Sequence, residues 1–113
     1  MESVTSTEEK VAILLRDYST PESWVNRQLG AQLAAQSNLE RYTPTLFLLL
    51  EDSNEWVRFH ALCALHSLKA ESGVFTIALL KLERDPFFRV RAKAKEVLLE
   101  LNQNTTQALQ SYG

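Results

Sequence analysis

The stretch "HALCALH", residues 60–66, sets His60, Cys63 and His66 three residues apart, and all three side chains can bind zinc or copper. On a helix that spacing spreads them over about 120° of surface, which is wide for one ion. The chain holds one cysteine and two histidines in all, so no further His or Cys completes a four-ligand site. The aligned positions Lys93, Glu96 and Leu99 add no ligand pattern. The expectation is no metal and no cofactor, with Cys63 packing as a small hydrophobe.

A second chemistry would be polyanion binding. Residues 81–95 carry Lys81, Arg84, Arg89, Arg91, Lys93 and Lys95 against Glu83 and Asp85. A helix that binds nucleic acid needs its cations on one accessible stripe. Here the core side follows Val90, Ala94, Val97, Leu98 and Leu101, which sends Arg91 and Lys95 to one flank and Arg89 and Lys93 to the other. Glu96 and Glu100 share the second flank and partly neutralise it. The stretch reads as a solvated amphipathic helix, with nucleic-acid binding kept as an alternative.

The third candidate is a recognition surface. Trp24, Trp56 and Arg89 fall at matching places near the starts of three helices, and Arg27 or Gln28, Phe59 and Ala92 form the next row. Trp56 and Phe59 point away from the stripe Val57, Ala61, Leu65. Trp and Arg are the side chains that most often anchor a protein interface. Trp24, Trp56, Phe59 and Arg89 are therefore the expected partner-binding residues. The competing reading makes each indole a filler between turns, its N–H satisfied locally. Enzyme chemistry has no foothold: the chain lacks a glycine-rich phosphate loop, a nucleophile elbow, HExxH and CxxC.

These side chains must be positioned by helices. Leu and Ala recur at three- and four-residue steps and nothing alternates with strand period. Ser6 with Glu9, and Asp52 with Glu55, have the spacing of capping boxes, and Ser72 can cap a further segment. Each proline follows a capping residue, as Thr20-Pro21, Thr43-Pro44 and Asp85-Pro86, where its missing N–H has no intrahelical partner to lose. Helices are expected near 7–18, 21–36, 44–51, 54–69, 73–84 and 86–102. The polar tail, 103–113, has Ala108, Leu109 and Tyr112 as its apolar handles. It either docks as a short helix starting after Thr105 or Thr106, or frays.

The helices pair, and the second and third pairs superpose at a spacing of 33: Asp52 on Asp85, Val57 on Val90, Arg58 on Arg91, Leu65 on Leu98. The first pair is a looser copy, with Trp24, Val25 and Leu33 set against Trp56, Val57 and Leu65, and a turn three residues longer. Two helices per period is the signature of an α-solenoid. The expected fold is all-α, an α-α superhelix of three units at 7–37, 38–70 and 71–102 within one domain, 1–113.

"DSNEWVRFHALCAL" and "DPFFRVRAKAKEVL" resemble the second helix of a HEAT repeat, closest to the short bacterial and cyanobacterial HEAT-like repeats, phycobilisome lyase subunits among them. The resemblance implies a ladder in which Asp52 and Asp85 pair with Arg58 and Arg91. It also implies that second helices line a concave face suited to another protein. The first unit lacks an Asp at the same spacing, and Asn26 aligns with Arg58, so the ladder is expected to be missing there. The implied function is a non-catalytic interaction or scaffold module. The alternative from this resemblance is a bilin lyase accessory, or a chaperone for a chromophore-bearing protein. The ends of such a stack can also associate with a second copy.

Bulk properties fit that reading. A chain of 113 residues, 45% hydrophobic, can bury its own core without a disulfide or a structural metal. The net charge of −2 gives no general attraction to polyanions. The start "MESVTSTEEK" has no apolar secretory core, and "LFLLL" is too short to span a bilayer, so a reducing cytoplasm is the expected setting.

Overall fold

The computed structural model describes residues 6–70 and 72–112, with side chains placed for 6–70 and 72–104. The described residues are all-α. The helices are α1 (Thr7–Leu15), α2 (Trp24–Gln36), α3 (Thr43–Leu49), α4 (Glu55–Ser67), α5 (Gly73–Leu82) and α6 (Phe88–Tyr112). None of them is long and apolar enough to cross a membrane.

The helix starts show where local sequence rules hold and where packing overrides them. Ser6 and Ser72 accept the backbone N–H of Glu9 and Phe75, as N-caps do. At α4 the cap is Asn54, whose side chain accepts from Trp56 and Val57, rather than the expected Asp52. Asp52 is buried, and its carboxylate is engaged elsewhere. Thr20-Pro21 opens a single 3-10 turn, Pro21–Ser23, closed by Ser23 Oγ accepting from Thr20 N, so α2 begins only at Trp24. The expected break after residue 102 is absent. The α6 backbone continues to Tyr112 with no separate tail helix, while the side chains of Ala108, Leu109 and Tyr112 lie outside the described residues.

The chain divides into two bodies, Met1–Ala70 and Glu71–Gly113. In the first, α2 packs on both α1 and α4, and α3 packs on α4. Val11, Leu15, Ala34, Leu46, Val57 and Leu65 are fully buried there. Gly30 lets α1 and α2 approach at backbone distance: a Cβ at that position would lie 3.0 Å from Leu15 N and 3.1 Å from Leu14 Cβ. In the second body α5 pairs with α6, and Phe75, Leu79, Val90, Ala94 and Val97 are buried.

Helices α2 and α4 end identically. Leu39 N–H reaches back to the carbonyl of Ala34, and Ala70 N–H to that of Leu65, around left-handed residues Asn38 (φ 53°) and Lys69 (φ 58°). These matched ends fix the register between the two helices at 31 residues, one less than the spacing at which the tryptophans coincide.

Candidate functional site

With that register, the missing rung of the ladder appears. Arg27, not Asn26, is the counterpart of Arg58. Arg27 Nη1 donates to the carbonyl of Asp17 at 2.7 Å, Arg58 Nη1 to that of Asp52 at 2.8 Å, and Arg91 Nη1 to that of Asp85 at 2.8 Å. The same bond thus recurs in all three helix pairs. The rest of the Arg27 fork makes a bidentate pair with Asp52, Nε to Oδ2 at 2.8 Å and Nη2 to Oδ1 at 3.0 Å. Its guanidinium also lies 4.1 Å from the Tyr18 ring centroid. Side-chain exposures of 6% and 1% make this a desolvated ion pair.

Two expectations are corrected here. The first unit does carry the ladder. Its Asp17 and Arg27 stand ten residues apart where the other pairs use six, so the extra turn is four residues long, not three. Within this ladder the Asp52 carboxylate takes Arg27 and the Asn54 N–H, while Arg58 holds the Asp52 and Ser53 carbonyls. Arg91 likewise holds the carbonyls of Asp85 and Pro86, and the Asp85 carboxylate accepts from Phe87 N–H.

The expected aromatic row shifts with the register. Trp56 corresponds to Val25 and Phe59 to Gln28, and Trp24 falls opposite Glu55. Burial agrees: Val57 is fully buried, whereas Val25, its expected match, is 50% exposed. Arg27 also leaves the recognition row, because it is buried in the ladder. What the first body presents instead is an aromatic cluster on α4 beside an aliphatic edge on α2. Trp56 and Phe59 meet edge to face at 6.2 Å, Trp56 stacks on His60 at 6.4 Å, and Phe59 meets His60 at 5.2 Å. All three are half-buried. Val25 and Leu29, at the positions of Trp56 and His60, are 50% and 43% exposed. Gln28, Gln32 and Cys63 lie at the neighbouring helical positions and are uncharged, while Glu55, four residues before Phe59, stands at the edge of the cluster.

Trp24 is half-buried at the start of α2 and stands apart from the α4 ring pairs among the described residues. Arg89 belongs to the second body, exposed, with its guanidinium 5.4 Å from the Phe88 ring. The basic stretch is partly spent on structure. Lys93 pairs with Glu96 at 2.6 Å, and Arg91 holds the turn before its own helix. His60 faces aromatic rings, and the described residues contain no group of three His, Cys, Asp or Glu able to hold a metal ion. A polar cleft of about 490 Å³ lies at the ends of α2 and α4, between Asn38, Glu40 and Thr43 and the segment 67–70.

Burial lowers the His60 pKa below its ordinary 6.5, because the half-buried ring loses water when charged. The neutral form is the folded form. Stability linked to His60 is therefore complete above pH 6.5 and is lost as pH falls through that value toward the lower folded pKa. His60→Gln is expected to flatten the stability profile between about pH 7 and 5, measured as urea midpoints at each pH. An unchanged slope would assign the pH dependence to other groups.

No protein-family model, curated protein sequence or solved structure matches this chain.

Proposed function

We propose that the first body is a non-catalytic docking module of HEAT-like type, whose α2–α4 face receives an uncharged, apolar segment of another protein. One observation carries this reading: Trp56, Phe59 and His60 form a mutually packed, half-exposed cluster, flanked by the uncharged Gln28, Gln32 and Cys63. Rings that brace one another lose little further freedom on binding, and aromatic side chains supply large contact area at the centre of interfaces. Charge depletion at the centre with aromatic enrichment is the compositional mark of an interface core. Val25 and Leu29 extend the apolar area onto α2, which spreads the contact over both helices.

The nucleic-acid reading draws less support, since Arg91 and Lys93 already hold intramolecular partners. Trp56→Ala separates recognition from packing. It is expected to leave the urea midpoint of the first body nearly unchanged while weakening capture of the partner by tenfold or more, about 1.4 kcal/mol or above. Affinity capture beside a denaturation curve checks it. Loss of stability comparable to a core truncation would make the indole structural instead.

A further inference from the structure

The ladder has a donor at one position and an acceptor at another that the chain does not join. Arg27 shows what a complete rung looks like: Nη1 on the carbonyl of its own turn, and the Nε/Nη2 edge on the carboxylate of the turn Asp in the next helix pair. Arg91 reproduces the first half, with Nη1 on the carbonyls of Asp85 and Pro86. Among the described residues its Nε and Nη2 hydrogens have no acceptor. That edge is a planar fork of the geometry that best matches a carboxylate.

The unmatched acceptor is Asp17, the turn Asp of the first helix pair. Its carbonyl takes Arg27, and among the described residues its carboxylate makes no salt bridge. Oδ1 accepts from Ser19 N at 3.0 Å and Ser19 Oγ at 2.7 Å, and Oδ2 from Asn26 Nδ2 at 2.7 Å. These bonds hold the carboxyl well below the usual carboxylate range, so it is ionised at neutral pH. A carboxylate offers about four acceptor sites, so with three taken a further cation reaches Asp17 through a single N–H, not through the bidentate pair that Arg27 makes with Asp52.

We infer that a second copy of this chain completes the rung, with one N–H of the Arg91 fork of one copy on the Asp17 carboxylate of another. The charge balance favours this pairing. Residues 71–113 hold six basic and five acidic side chains, and residues 1–70 hold six and nine, so the two bodies have opposite net charge. On α6 the Arg91 flank also exposes Phe88 (58%) and Leu99 (63%), apolar area that a contact with a second copy would cover. Each copy carries both the fork and the carboxylate, so the contact either closes as a reciprocal dimer or ring or extends as a filament, and in every case it grows with concentration. It is independent of the α4 aromatic face and of the partner proposed for it.

Sedimentation velocity on the full chain, across a hundredfold range of concentration at low and moderate salt, tests the inference. The wild type is expected to sediment faster as concentration rises, and less so at higher salt, because the contact is a partly exposed charge pair. Arg91→Glu is expected to weaken association by about tenfold or more while leaving the helical circular dichroism unchanged. Leu99→Glu should weaken it in the same direction. Adding Asp17→Arg to Arg91→Glu reverses both charges and should restore association. Where Asp17→Arg disturbs the turn, the Arg91→Glu and Leu99→Glu chains decide alone. A wild type that stays monomeric throughout overturns the inference, as does an Arg91→Glu chain that associates like the wild type.

Discussion

Arg27→Ala is expected to lower the stability of the first body by roughly 3–5 kcal/mol, the size of effect seen when one member of a buried ion pair is removed. The loss arises from what remains. Asp52 is 8% exposed, and without Arg27 its carboxylate would keep only the Asn54 N–H among the partners described above. The Asp17 carbonyl and the Tyr18 ring would lose their cation in the same step. Arg27→Lys should recover part of the loss, since an ammonium keeps the charge but cannot reproduce the bidentate fork. Replacing both partners, as in Arg27→Met with Asp52→Leu, should be less damaging than Arg27→Ala alone. Urea unfolding of the four variants gives the ordering. If Arg27→Ala shifts the midpoint no more than an ordinary surface substitution, the rung does not hold the first two helix pairs together.

Phe75→Ala is expected to be the most damaging single truncation in the second body, at about 3–5 kcal/mol. Phe75 is 1% exposed and, among the described residues, is the only aromatic ring in the fully buried set. Among the described residues the other buried side chains of α5 and α6 are Leu79, Leu82, Val90, Ala94 and Val97, several of them small, so little stands ready to collapse into the space left by a phenyl ring. Hydrogen exchange is the informative probe. Amides of α5 and of the start of α6 should lose protection well beyond those of α1 and α2. Uniform loss along the whole chain would mean that the cavity is felt globally.

The helical architecture was legible because local rules and packing agree along most of the chain. Ser6 and Ser72 cap where their spacing says, and the 33-residue repeat of Asp, Arg, Ala and Leu between α4 and α6 is reproduced by the Arg58 and Arg91 bonds to their turns. The first helix pair misled because its most conspicuous residue, Trp24, sits one position out of register with Trp56. Matching the two indoles moved every neighbour by one, which exchanged the buried Arg27 for Asn26 and set the half-exposed Val25 against the fully buried Val57. The better signal was the chain ends of the helices: Asn38 and Lys69 share an unusual backbone conformation and lie 31 residues apart. The aromatic cluster was half-visible. Trp56 and Phe59 could be placed on one face from spacing alone, but the part of His60 depends on its ring lying against both.

The first turn accommodates four extra residues, and the Arg27 bond to Asp17 is nevertheless the same length as its shorter-turn counterparts to within 0.1 Å. Lengthening the segment between two fixed points from six residues to ten raises its closure entropy by only about 0.5 kcal/mol. That is small beside a desolvated ion pair, so the distance along the chain is a soft constraint and the carbonyl-to-guanidinium anchor a hard one. The exposed tip of this turn, at Thr20 to Glu22, is thus the natural place to graft a foreign peptide or a label, because ring size is the variable to which the molecule is least sensitive.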